Sequence, residues 1–206
     1  MADAKPVVFV VDDDVSVREA LETLIRLEGW EVRPFETANA FLAGAPAAGP
    51  NCLVLDVGLP DLNGLDLQAL IAHRRIEMPI IFITGFGDVP TTVRAMKAGA
   101  AEFLTKPFSD EVLLQAIRGA LERSRAAIGT KAALQTLRDR YASLSRRERE
   151  VMALVVSGLL NKQVGGRLGI SEITVKAHRG RVMEKMRAGS LPELVNMSAA
   201  LGPELR

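Results

Sequence analysis

Disulfide chemistry has no place inside this chain, because Cys52 is its only cysteine. A lone thiol suits a reducing compartment, and a cytoplasmic protein is the simplest expectation. Long apolar runs are missing as well. None approaches the roughly 18 residues that a membrane-crossing helix needs, so no membrane partner is expected. Residues 1–6 carry Asp3 and Lys5 and lack the apolar stretch of a secretory signal. No internal repeat is present, and the one biased stretch is an Ala/Gly/Pro loop at 43–50. What remains is a globular chain, 48% hydrophobic and 206 residues long. That length fits one or two domains of ~100–200 residues each.

Charge is plentiful in both signs but unevenly placed. Residues 1–124 hold eighteen acidic against eleven basic side chains, a net of −7. Residues 125–206 hold fifteen basic against seven acidic, a net of +8. An acidic half joined to a basic half implies different partners, and the basic half favours nucleic acid through attraction to phosphate.

The acidic half alternates short apolar runs with helical patterns. Val7–Val11 is continuously apolar, as a strand covered on both faces requires. Val15–Glu28 carries Val17, Leu21, Leu24, Ile25 and Glu28 at helical spacing, with Ser16 and Glu19 as a capping box. Glu31–Phe35 reads as a strand, and Pro34 cannot donate a ladder hydrogen bond, which puts it at a sheet edge. Further strands are expected at Cys52–Asp56, Pro79–Thr84 and Glu102–Thr105. Helices are expected at Thr37–Leu42, Leu65–Arg74, Val89–Ala98 (stopped by Gly99) and Asp110–Ser124 (capped by Ser109). Five strands alternating with five helices give an α/β domain at 1–124 with a parallel sheet covered on both sides.

Residues 125–142 read as a helical linker, although Gly129 costs a continuous helix ~1 kcal/mol relative to Ala. Residues 143–206 read as an all-α domain, with helices at 146–157, 161–168, 172–187 and 191–201. Ser145 with Glu148, Ser171, and Ser190 with Glu193 mark three of the helix starts.

Polar residues fall where the strands of the α/β half end. Asp12, Asp13 and Asp14 follow the first strand, Asp56 ends the third, Thr84 the fourth, and Lys106 the fifth. Ligands of open parallel sheets sit beyond this carboxyl edge. Carboxylates brought together repel unless a cation or protons intervene. Magnesium takes a few carboxylates together with water and phosphate oxygens, so Asp12 and Asp13 can hold Mg²⁺ (or Mn²⁺) beside Asp56. A carboxylate in that setting can attack a phosphoryl group, with Lys106 and the Thr84 hydroxyl stabilising the transferred oxygens. Taken alone, the Asp12–Asp14 run can equally form a turn that caps the first helix.

The segments VVDDD, LDVGLPDLNG, FITGFGDVP and AMKAGAAEFLTKPF, in this order, resemble the receiver domains of two-component response regulators, in particular the NarL/FixJ class. The resemblance covers nearly all of residues 5–124. It implies a flavodoxin-like sheet of order 2-1-3-4-5 and Asp56 as phospho-acceptor. It also implies Asp12, Asp13, Asp56 and the Gly58 backbone carbonyl as metal ligands, with Thr84, Phe103 and Lys106 as switch and phosphate-stabilising residues. A cis bond between Lys106 and Pro107 is implied too. Phe103 can equally be a core residue of its strand.

The segment LSRREREVMALVVSGLLNKQVGGRLGISEITVKAHRGRVMEKM resembles a LuxR-type output domain over about residues 143–203. Asn161–Leu168, a turn at Gly169 and a helix from Glu172 make a helix-turn-helix. Val175, Val182 and Met186 share the inner face of the last of these helices, and Lys176, Ala177, Gly180 and Arg181 the outer one. Thr174, Lys176, Ala177, Arg179 and Arg181 are the expected DNA contacts. Gly165, Gly166 and Gly180 depart from the family pattern and should each weaken a helix. Leu191, Leu194, Val195 and Ser198 on the final helix can dimerise two copies or pack the core.

The resemblances together imply a transcription regulator and not an enzyme. A sensor histidine kinase would phosphorylate Asp56, and the phosphorylated chain would form a homodimer on double-stranded DNA. Two rivals stand beside that reading. Asp12-Asp13-Asp14-Val15-Ser16 partly matches the start of haloacid-dehalogenase-type phosphatases, whose first Asp is the nucleophile; Asp110 and Glu111 are the only acids after Lys106 to serve as the second pair. The other rival is a regulator working through protein contacts without phosphate.

Overall fold

The computed structural model describes residues 5–44, 49–74, 76–85 and 87–202. Half of the Ala/Gly/Pro loop expected at 43–50, residues 45–48, lies outside the described residues. The chain divides into two compact units between Gly129 and Thr130.

In the first unit, five parallel strands stand in the order β2-β1-β3-β4-β5. They are β1 (Val7–Val11), β2 (Glu31–Phe35), β3 (Asn51–Asp56), β4 (Ile80–Thr84) and β5 (Glu102–Thr105). Strand alternation divides the apolar residues between two layers. Phe9, Leu53, Leu55 and Phe82 face a core closed by Leu67 and Ile71 of α3 (Gly64–His73) and Ala95 of α4 (Val89–Lys97). Val8, Val10, Val54, Ile81 and Ile83 face a second core, closed by Leu21 and Ile25 of α1 (Val15–Leu27) and by Leu113 and Ile117 of α5 (Asp110–Ala142). The short α2 (Ala38–Ala43) covers the first layer with Phe41, whose ring meets Phe9 edge-on at 5.5 Å between centroids. β2 is an edge strand, as its proline requires.

Two local expectations are corrected. The first helix is capped by Asp14 and not by a Ser16/Glu19 box. The Asp14 carboxylate accepts from the Ser16 and Val17 amides, so Ser16 already lies inside the helix. The linker at 125–142 is not a separate element, because α5 runs unbroken through Gly129 to Ala142. Ala126, Ala127, Ala132 and Ala133 flank that glycine, and the best helix former on both sides offsets its cost.

The second unit contains the end of α5 and four helices, α6 (Arg146–Val156), α7 (Asn161–Leu168), α8 (Glu172–Met186) and α9 (Leu191–Leu201). Met152, Val182, Met186, Leu194 and Leu201 form one buried group, against which Leu137 and Tyr141 of α5 pack. Val151, Val155, Val164 and Val175 form another. Ser145 and Glu148 make the expected capping box. The buried Glu148 goes further, accepting from Lys185 Nζ on α8 at 2.7 Å. The Lys185 ammonium and the Ser145 amide hold its carboxyl below the usual carboxylate range.

Candidate functional site

The loop after β1, the end of β3 and the end of β5 deliver three side chains to one point at the carboxyl rim of the sheet. Lys106 Nζ donates to Asp12 Oδ2 at 2.8 Å and to Asp56 Oδ1 at 3.0 Å. The other oxygen of each carboxylate is held by its own loop: Asp14 N donates to Asp12 Oδ1 at 2.9 Å, and Gly58 N to Asp56 Oδ2 at 2.5 Å. Asp12 is 1% exposed and Asp56 8%. Burial acts to lower the Lys106 pKa, but the hydrogen bonds and charges of Asp12 and Asp56 outweigh it and hold the ammonium above its ordinary range. The peptide bond from Lys106 to Pro107 is cis. Thr84 is buried at the end of β4, and its carbonyl accepts from Lys106 N at 2.7 Å. Phe103 is half-buried, its ring 5.9 Å from that of Phe82.

Asp12 and Asp56 are hard oxygen donors of the kind magnesium takes, and each carboxylate has lone pairs beyond the bonds just named. Asp13 lies on the surface beside Asp12. Among the described residues no three carboxylates, imidazoles or thiolates group closely enough to hold an ion unaided. The ammonium joins Asp12 and Asp56, and Asp13 stands exposed beside them. The residues present fit an ion that completes its shell with water and phosphate oxygens.

In the second unit, α7 and α8 are joined by a tight turn in which Gly169 takes φ 67°, a left-handed conformation that costs glycine little. Gly165, within α7, faces the same turn. A Cβ there would lie 2.7 Å from the Ile170 carbonyl oxygen, so the chain passes too close for a side chain without a shift. Its absence of a methyl group has this local reason, whereas Gly166 and Gly180 face open space. On α8, Val175, Val182 and Met186 are buried, while Lys176, Ala177, Gly180 and Arg181 are exposed. Thr174 and Arg179 differ from the other expected contacts, because both are half-buried and occupied within the unit. Their partners are the Ser171 hydroxyl at 2.8 Å and Asn161 Oδ1 at 3.3 Å. On α9, Leu194 is core and Leu191 is half-buried against both apolar groups, which leaves Val195 exposed.

The family model "Response regulator receiver domain" matches residues 8–118, and the model "Bacterial regulatory proteins, luxR family" matches residues 142–198. The chain belongs to the response-regulator family. Nodulation protein W of Bradyrhizobium diazoefficiens is 51% identical over 98% of this chain and 88% of its own length. Transcriptional regulatory protein FixJ of Rhizobium meliloti is 44% identical over 95% of this chain and 96% of its own. The solved structure of response regulator StyR is 45% identical and covers 95% of this chain and 99% of that one, with a TM-score of 0.86.

Some partners within this response regulator were not foreseen from sequence. Arg18 of α1 donates to the Asp12 carbonyl at 2.6 Å and so steadies the acidic loop. Its signal was a cation one turn into the helix after an acidic run, which surface pairing explains equally well. The Glu148–Lys185 pair carried no signal, because 37 residues separate its members. No helix is long and apolar enough to cross a membrane, among the described residues.

Proposed function

We propose that this chain is a DNA-binding transcription regulator switched by phosphorylation of Asp56. The observation that carries the reading is the Lys106 ammonium shared by Asp12 and Asp56, which joins three strand ends on one cation. The phosphoryl donor is a phosphohistidine of a sensor kinase. An Asp56 carboxylate oxygen attacks phosphorus, an O–P bond forms, and the P–N bond breaks. The bonding pair stays on the imidazole nitrogen, which takes up a proton. Lys106, already above its ordinary pKa, stays charged and meets the new dianion. A Mg²⁺ or Mn²⁺ ion held by Asp12, Asp13, Asp56 and the Gly58 carbonyl would supply further charge neutralisation at the phosphoryl oxygens. A groove of about 740 Å³ between α1 and the start of α5, lined by Leu24, Leu27, Pro107 and Phe108, adjoins Lys106 and offers an apolar seat for the kinase.

Thr84 follows the phosphoryl group as the switch hydroxyl, and Phe103, only half-buried beside Phe82, changes its packing in response. Ligation of this kind shifts a population between two arrangements of the first unit. Receivers then pair into a homodimer in the cytoplasm, and two output domains engage adjacent half-sites with a gain in effective concentration. Thr174, Lys176, Ala177, Arg179 and Arg181 are the proposed DNA contacts. Lys176 and Arg181 are exposed on α8, where they can reach phosphates or guanine edges. The phosphatase reading with Asp12 as nucleophile has less support. Asp12 is the more buried acid, and Asp110 and Glu111 lie exposed in the first turn of α5.

The test is DNA affinity with and without acetyl phosphate and Mg²⁺, measured by fluorescence anisotropy on DNA selected with the wild-type protein. The donor should tighten wild-type binding at least tenfold and leave Asp56→Asn unchanged. A variant that keeps the full donor-dependent gain overturns the proposal.

A further inference from the structure

Ile173 is 82% exposed at the second position of α8, a large apolar side chain that no core packing explains. At about 100° per residue, Ile173, Ala177 and Gly180 fall within roughly 60° of one another. The stripe lies opposite Val175, Val182 and Met186, all of which are buried. Exposed cations border it on both sides, Lys176 on one and Arg181 on the other. Gly180 continues the stripe without adding a side chain, and a Cβ there would meet nothing within 4 Å. One turn further on, Glu184 ends it with a charge that phosphates repel. The surface available for bases is thus the first half of α8, with hydrocarbon in the middle and positive charge at its edges.

We infer that α8 reads its DNA site chiefly through thymine methyl groups, with Ile173 as a specificity-determining residue beside Ala177. The inference rests on the proposed DNA-binding role and deepens it. In the major groove, thymine is the base that presents a methyl group, and apolar side chains are the ones that gain by covering it. Ile173 and Ala177 are four residues apart, about 6 Å along the helix. That rise matches two base-pair steps at ~3.4 Å each, so each half-site should carry two methyl-sensitive positions about two steps apart. Lys176 and Arg181 flank the contact and hold the helix to the backbones on either side. The charges set affinity and salt dependence, while the apolar stripe sets the preferred bases.

The experiment uses the full chain treated with acetyl phosphate and Mg²⁺. DNA is selected from a random pool, and each thymine of the selected site is then replaced in turn by deoxyuracil, which differs only in lacking the methyl group. Loss of one buried methyl contact should weaken binding about threefold to fourfold at two positions in each half-site. Ile173→Ser, at a surface position that should not disturb folding, should abolish the uracil effect at one of the two and leave the other intact. Uniform tolerance of uracil, or unchanged sensitivity in Ile173→Ser, overturns the inference while leaving salt-dependent DNA binding in place. Failure of the treated protein to retain any DNA at low salt overturns the DNA-binding proposal itself. If Ile173→Ser alters transcription with unchanged DNA affinity and unchanged uracil response, the residue serves a protein partner and the inference falls.

Discussion

In the first unit two carboxylates are drawn into the rim of a sheet and share one ammonium, whereas in the second Lys176 and Arg181 of α8 stay exposed while a buried acid, Glu148, takes Lys185 of the same helix and braces the helices from behind. The contrast teaches where charge is put to use. Asp12, Asp56 and Lys106 are the candidate site because two acids share one ammonium and so stay incompletely neutralised. The Glu148–Lys185 pair is balanced one for one, and its carboxylate also takes the Ser145 amide. Both bonds fall on Oε2, and the pair holds α6 against α8.

That comparison can be broken most severely at Lys106. Replacing it by methionine leaves Asp12 and Asp56 facing each other at the rim, and loss of one partner from a buried charge group costs about 3 kcal/mol or more. Urea unfolding should show this loss, and added Mg²⁺ should restore more stability to the variant than it adds to the wild type. Equal gains in both would mean that the two acids do not share a cation site.

At Glu148 the expected effect is smaller and sharpened by pH. Glu148→Gln should destabilise the second unit by about 2 kcal/mol at neutral pH, because a charge-assisted bond to Lys185 is replaced by a neutral one. Since the folded carboxyl lies below its ordinary range, its contribution is present above about pH 4.3 and fades as pH falls through the depressed value. Thermal melts of wild type and variant should therefore converge on acidification below about pH 4. A gap that stays constant well below pH 4 contradicts the assignment.

The smallest effect sets two adjacent glycines against each other. Gly166→Ala faces open space and should stabilise α7 by about 0.5–1 kcal/mol. Gly165→Ala gains the same propensity but drives its Cβ toward the Ile170 carbonyl, and its melting temperature should be the lower of the two.

How much of this was legible in the sequence follows from range. Strand and helix periods, the edge position of β2 and the convergence of Asp12, Asp56 and Lys106 all follow from local pattern plus the rule that ligands gather at strand carboxyl ends. For the cap of α1 the sequence offers both a Ser16/Glu19 box and the Asp12–Asp14 run, and Asp14 is the one that takes the Ser16 and Val17 amides. Gly129 hides the continuity of α5 in the sequence, because its helix cost is offset only by the alanines on both sides. The Arg18 bond to Asp12, the pairing of Glu148 with Lys185 and the exposure of Ile173 depend on three-dimensional placement, and the spacing of Glu148 marks only its capping box with Ser145. For Thr174 and Arg179 the hydrogen bonds to Ser171 and Asn161 arise from the neighbouring turn and helix, and helical spacing puts Arg179 closer to the buried face of α8 than to the outer one.

The most direct measurement locates the acyl phosphate. Protein treated with acetyl phosphate and Mg²⁺ can be reduced with borohydride, which converts a phosphorylated aspartate to homoserine, and its peptides weighed. The account predicts a single modified residue, Asp56, in the peptide that spans the end of β3. Modification at Asp12, or none under conditions where the protein is folded, would contradict it.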